Sequence, residues 1–140
     1  MARRAVVVVA STRAAAGIYE DRSGPIAVEF LRRMGFDTPD ALVVPDAEIA
    51  EALDKVFAAQ PSVILTSGGT GISPDDATVE AVSAHLAREL PGIAHAFYAA
   101  SASVPTAALS RTVAGVNAHT FAMALPGSTG GVKDGCKAVS

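Results

Sequence analysis

The order of apolar segments predicts an α/β chain, a three-layer α/β/α domain with a mostly parallel central sheet. Two observations carry this. Short continuous apolar runs alternate with segments of helical periodicity, and strands joined by crossover helices pair in parallel and are covered on both faces. Small-residue turns then follow the apolar runs directly, at the edge where parallel sheets gather their ligands. The 140 residues are read as one domain, 1–140, long enough to bury a substantial core.

Each element follows in order. Ala5 to Ala10 is β-branched, continuous and short, as expected of a strand buried on both faces. Ser11 to Asp21 reads as a polar loop. Ser23-Gly24-Pro25 opens a helix, with Ser23 as its cap and Ile26, Phe30 and Met34 on one face, and Gly35 ends it. Ala41 to Val44 is a second strand. Pro45-Asp46 closes it, and Asp46 is placed to cap a helix over Ala47 to Ala59 with a stripe of Ile49, Leu53, Val56 and Phe57.

Ser62 to Leu65 is the third strand and runs into Thr66-Ser67-Gly68-Gly69-Thr70-Gly71. Val79 to Glu89 then reads as helical, Pro91-Gly92 breaks it, and a shorter helix covers Ile93 to Ala102. Pro105 to Leu109 and Thr112 to Val116 are expected as short strands or a hairpin, with Ser110-Arg111 between them. Thr120 to Leu125 is a further strand, ending at Pro126-Gly127-Ser128-Thr129-Gly130-Gly131, with a last helix from near Val132.

Composition narrows the function. The net charge is −3, without a basic run, and aromatics make up 5% of the chain, which argues against nucleic acid as a partner. No stretch approaches the roughly 20 apolar residues of a membrane helix, and no signal peptide is expected. The single Cys136 excludes an intrachain disulfide and a cysteine metal cluster, and a cytoplasmic setting fits. His85, His95 and His119 lack metal-ligand spacing.

The Gly68–Gly71 stretch offers the clearest chemistry. Glycines allow a sharp turn and close approach of a ligand to the main chain, whose N–H groups can converge on an anion. Thr78 is expected to cap the following helix and add a positive helix end. Asp46, the glycine loop, Ser110-Arg111 and the Pro126–Gly131 loop are all expected to face one crevice.

Six stretches in register resemble the molybdopterin-binding family of molybdenum cofactor biosynthesis, which includes MogA-type molybdopterin adenylyltransferases, their MoaB relatives and the G domain of gephyrin. They are Asp21-Arg22-Ser23-Gly24-Pro25, Val44-Pro45-Asp46, Leu65 to Gly71 with Asp76 and Thr78, Glu89-Leu90-Pro91-Gly92, Val104-Pro105-Thr106 with Leu109-Ser110-Arg111, and Leu125-Pro126-Gly127-Ser128. The resemblance implies transfer of AMP from Mg-ATP to the terminal phosphate of molybdopterin, with release of pyrophosphate. It implies Asp46 and Asp76 as the catalytic and Mg²⁺-holding carboxylates. It places Ser67, Gly68, Gly69, Thr70, Gly71, Thr78, Ser110, Arg111, Pro126, Gly127 and Ser128 against the ligands.

It also implies a homotrimer or hexamer, consistent with the few charges between Ile93 and Ala108, and a molybdate-insertion protein as a downstream partner. The chain departs from the family pattern at Ala124, Thr129, His95, Tyr98, Thr112 and His119, and relatives are expected to extend the last helix beyond Ser140. Those departures support a second expectation, a non-catalytic molybdopterin- or nucleotide-binding paralogue of the same fold.

Overall fold

A computed structural model describes residues 3–139. Strands β1 (Ala5–Ala10), β2 (Leu42–Val44), β3 (Val63–Ser67), β4 (Arg88–Glu89), β5 (Val113–Val116) and β6 (Phe121–Leu125) form one six-stranded sheet in the order β2-β1-β3-β6-β5-β4. Pairings among β2, β1, β3 and β6 are parallel, and β5 runs antiparallel to both neighbours. The three-layer, mostly parallel architecture expected from the sequence is therefore present.

Helices α1 (Thr12–Ala15), α2 (Ser23–Arg33), α3 (Ile49–Ala58), α4 (Thr78–Ser83), α5 (Pro91–Ala100) and α6 (Thr129–Val139) connect or follow the strands. On one face Ala27, Val28 and Leu31 of α2, Phe97 of α5, and Val132 and Cys136 of α6 pack on Val7, Val9, Leu65, Met123 and Leu125. On the other, Ile49, Leu53 and Phe57 of α3 and Val82 of α4 pack on Val8, Ala10, Ile64, Ala122 and Ala124. Alternate β1 side chains thus enter opposite cores, so a run of six apolar residues has no polar alternation. Burial pushes the Cys136 thiol up to about 11.

Several local expectations are corrected. The helix expected over Val79 to Glu89 stops at Ser83, because Arg88 and Glu89 pair with Val116 and Gly115 of β5. Pro105–Leu109 is a 3₁₀ turn and not a strand. The polar loop after β1 contains α1, whose first turn is capped by Ser11. Ser23 does not cap α2; Asp21 Oδ1 accepts from the Gly24 N–H at 3.1 Å and from the Ser23 hydroxyl at 3.2 Å. The core side of α2 is Ala27, Val28 and Leu31, while Met34 is exposed. Thr78 is the first residue of α4 and makes no capping bond. Asp46 opens a 3₁₀ turn, Asp46–Glu48, and its side chain does not cap α3. The last helix starts at Thr129, three residues before Val132.

Candidate active site

The parallel strands deliver their carboxyl ends to one edge. Ser11 follows β1, Asp46 follows β2, Gly68 follows β3 and Pro126 follows β6. Ser110 and Arg111 reach the same edge for a different reason. They precede β5, whose reversed direction sets Val113 beside Ala124 near the end of β6. The expected residues thus share one sheet edge, two of them arriving from the opposite strand direction; the cavity there takes in Ser110 and the Pro126–Gly131 loop but not Asp46 or the glycine loop.

The floor of this edge is tightly built. The Gly68 N–H donates to Leu125 O at 3.0 Å, at φ +91°, and a Cβ there would lie 2.3 Å from Ala10 O. No other residue combines that conformation with that proximity at an acceptable cost. Gly127 packs on it, 3.4 Å from the Gly68 Cα to the position of a Gly127 Cβ. Ser67 is buried, and its hydroxyl donates to Pro126 O at 3.1 Å and lies 2.9 Å from the Ser23 hydroxyl. Ser67 thus fastens the two small-residue loops from beneath.

Thr78 is also buried. Its N–H donates to Gly69 O at 3.2 Å, and its Oγ1 lies 2.0 Å from where a Gly69 Cβ would stand. That hydroxyl has no hydrogen-bond partner among the described residues. It backs the loop and does not line its open side.

Asp76 bends over the glycine loop. Its Oδ2 accepts from the Ser73 N–H at 2.9 Å and lies 2.6 Å from the position of a Gly71 Cβ, so a side chain at 71 would displace the carboxylate. Asp46 is set by Thr12, whose hydroxyl donates to Asp46 Oδ2 at 3.0 Å while accepting from the Asp46 N–H at 3.1 Å. The recorded bonds of each carboxylate fall on Oδ2. Both side chains are half-buried.

Thr70 and Ser110 face each other, their hydroxyls 2.8 Å apart, and the Arg111 N–H donates to Thr70 O at 2.7 Å. Each nitrogen of the Arg111 guanidinium donates to the protein. Nε donates to Gly71 O at 2.9 Å, Nη2 to Asp76 O at 2.9 Å, and Nη1 to both Glu80 oxygens. The hydrogen bond from Arg111 holds the Glu80 carboxyl below the usual carboxylate range, against a smaller upward push from burial. Arg111, expected as a ligand-binding residue, also clamps the loop that carries Asp76. Arg13 is exposed and lies 5.9 Å from the Tyr19 ring.

At the far side of the edge, the Tyr98 hydroxyl donates to Ser110 O and accepts from the Thr112 N–H at 3.2 Å. The Thr112 hydroxyl donates to Ala124 O. Ser128 caps α6, accepting from the Gly131 N–H at 3.0 Å. Ser110, Pro126 and Ser128 line a cavity of about 290 Å³ between these loops and α5 and α6. A larger groove of about 470 Å³ lies beside β2 and α3, lined by Val6, Leu42 and Val56, and contains none of the candidate residues.

Thr12, Glu80 and Tyr98 shape this site and were not expected to. Only Thr12 carried a local signal, its place directly after an apolar strand. Glu80 stands 31 residues from its partner Arg111, and nothing local marks such a pair. Among the described residues no group of three or more His, Cys, Asp or Glu is arranged to hold a metal, and no helix is long and apolar enough to cross a membrane.

Residues 6–140 match the family described as "Probable molybdopterin binding domain". The chain is 35% identical over 134 residues to the molybdenum cofactor biosynthesis bifunctional protein of Chlorobaculum tepidum, covering 94% of this chain but 43% of that protein. It is 31% identical over 140 residues to the molybdopterin adenylyltransferase of Pyrococcus furiosus, covering 95% of this chain and 82% of that one. The solved structure of the molybdopterin biosynthesis Mog protein from Mycobacterium ulcerans superposes with a TM-score of 0.91 at 47% identity, covering 99% of this chain and 92% of that one. A chain that matches over nearly its whole length, in sequence and in fold, is a member: this one belongs to the molybdopterin-binding family of molybdenum cofactor biosynthesis.

Proposed function

We propose that the protein is a molybdopterin adenylyltransferase, transferring AMP from Mg-ATP to the terminal phosphate of molybdopterin with release of pyrophosphate. The observation that carries this reading is the Asp76 carboxylate folded over Gly71, on a loop that offers main-chain donors and hydroxyls beside it. An anionic acceptor needs donors without negative charge, and a nucleotide with its cation needs carboxylates. The edge presents both, from the ends of β2, β3 and β6.

Asp46 and Asp76 suit Mg²⁺, a hard cation that takes one or two carboxylates together with nucleotide oxygens and waters. Held there, the ion supplies positive charge to the ATP phosphates. The chain's own residues do the rest by positioning. Thr12 orients Asp46, the Arg111 clamp orients Asp76, and the Gly68–Gly71 main chain with Thr70, Ser110 and Ser128 receives the acceptor phosphate. That phosphate is already ionised near neutral pH, so alignment of the two anions is the main requirement, and no strong base is needed.

One observation favours the alternative, a non-catalytic molybdopterin or nucleotide binder of the same fold. Arg111 directs its Nε, Nη1 and one Nη2 hydrogen to Gly71, Glu80 and Asp76, so most of its donors, and the charge that Glu80 pairs, are turned to the protein and not to a phosphate. Incubation with molybdopterin, ATP and Mg²⁺ separates the two readings: the enzyme yields adenylylated molybdopterin, and the binder retains both ligands unchanged.

The same reading places the protein in the cytoplasm as a homotrimer or hexamer that hands its product to a molybdate-insertion protein. The exposed apolar strip of Val104 and Leu109, continuous with Ala102, Pro105 and Ala108, supports the assembly.

A further inference from the structure

The cavity beside the small-residue loops holds a charge that the phosphate reading leaves unexplained. Asp134 is the one charged residue in its lining, among Phe97, Ser101, Ser110, Pro126 and Ser128. The carboxylate is held by a neighbour in the same lining. The Ser101 hydroxyl, buried at 3% exposure, donates to Asp134 Oδ2 at 2.7 Å. Oδ1 and a remaining lone pair on Oδ2 are left as acceptors. A carboxylate here repels a phosphate, so the phosphate belongs at the other end, by Ser110, Ser128 and the first turn of α6.

Ser128 and Asp134 are six residues apart, roughly 9 Å of helical rise, which separates an anion-accepting end from an acidic end within one cavity. At about 290 Å³ the space lies near the lower end of small-molecule pockets, roughly 300 Å³, and suits one fused ring system. Gly130, part of the lining, has nothing within 4 Å of where a Cβ would stand, so its bare backbone leaves that wall open for a ring.

We infer that Asp134, oriented by Ser101, reads the 2-amino-4-oxopyrimidine edge of the pterin, accepting from the ring N3–H and the exocyclic 2-amino group. This rests on the molybdopterin reading above and adds the group that recognises the ring. That edge presents two adjacent donors, the pattern a carboxylate accepts in parallel. Adenine presents a donor beside an acceptor, so the same carboxylate selects against the nucleotide base. The cavity is thereby assigned to the pterin, and ATP is left to the side of Asp46 and Asp76.

The test uses neopterin monophosphate and its 2-oxo counterpart, in which the amino group is replaced by an oxygen. Binding to the full chain is followed by pterin fluorescence or calorimetry. Wild type is expected to prefer the 2-amino ligand by roughly 10- to 100-fold, as a charge-assisted hydrogen bond supplies. Asp134→Asn, which still accepts from Ser101, should lose that preference while melting as wild type does. Ser101→Ala keeps the charge but releases its orientation, and should retain a reduced preference. An undiminished preference in Asp134→Asn, no preference in wild type, or no binding of either ligand overturns the assignment. Adenylylation of molybdopterin by wild type, measured in parallel, reports separately on the proposed reaction and does not depend on Asp134 being the reader.

Discussion

Arg111 Nη1 lies 3.0 and 2.9 Å from the two oxygens of Glu80, and the same guanidinium holds the main-chain carbonyls of Gly71 and Asp76. Glu80 was not among the candidate residues, yet it fixes the arginine that fixes the loop. The arrangement makes Glu80 a positioning residue for Asp76.

Glu80→Gln should therefore lower kcat by about 10- to 100-fold with a smaller change in KM, the size expected when a reacting group is misplaced by about 1 Å. Its effect on stability should depend on pH. Because Arg111 depresses the folded-state pKa of Glu80, the pair's stabilisation is complete above the ordinary glutamate pKa and is lost as pH falls through the depressed value. Melting curves of wild type and Glu80→Gln should differ near neutrality and converge in acid. Equal kcat for both proteins would remove Glu80 from the account.

Gly68→Ala should be the most damaging small change in the site. It forces a left-handed conformation on alanine and drives a methyl onto the Ala10 carbonyl, a backbone atom that cannot swing away. A loss of at least about 2 kcal/mol is expected, measured by denaturant midpoint. A protein as stable as wild type would show that the β1 and β3 ends do not meet as described.

Asp76→Asn should abolish adenylyl transfer with little change in melting temperature, since the half-buried carboxylate sits on a surface turn and not in the core. Gly71→Ala should push the same carboxylate aside and give a milder version of that defect. Asp46→Ala should weaken Mg-dependent nucleotide binding far more than pterin binding, because Thr12 holds it at the end of β2, away from the cavity lined by Ser110 and Ser128. Calorimetric titration of each variant with each ligand checks this. Equal losses for both ligands in Asp46→Ala contradict the division of the site.

Much of this arrangement was legible in the chain because it is written locally. Ala5 to Ala10 had to be a doubly covered strand, and a glycine run after an apolar strand had to be a turn at the sheet edge. What was not legible depended on partners far along the chain. Arg88 and Glu89 lie in a segment that reads as helical but are extended because β5 pairs with them. Ser110 and Arg111 reach the crevice only because β5 runs backwards, a direction no local pattern encodes. Ser23, Ser67 and Thr78 have the side chains of caps or ligands, yet tertiary packing buries all three beneath the loops. The identity of Arg111 was visible; its engagement with Glu80 was not.

Light scattering at micromolar concentration should give a trimer or a multiple of it, with the strip around Val104 and Leu109 covered. Val104→Asp should shift the mass toward monomer without changing the fold. A monomeric wild type contradicts the proposed assembly.

The reaction itself is tested most directly with ATP labelled at the α-phosphate, incubated with molybdopterin, Mg²⁺ and enzyme in a single turnover. The account predicts that label appears in adenylylated molybdopterin in step with pyrophosphate, that the signal requires Mg²⁺, and that Asp76→Asn gives none. Folded wild type that binds both ligands but leaves all the label in ATP would contradict it and establish the protein as a binder.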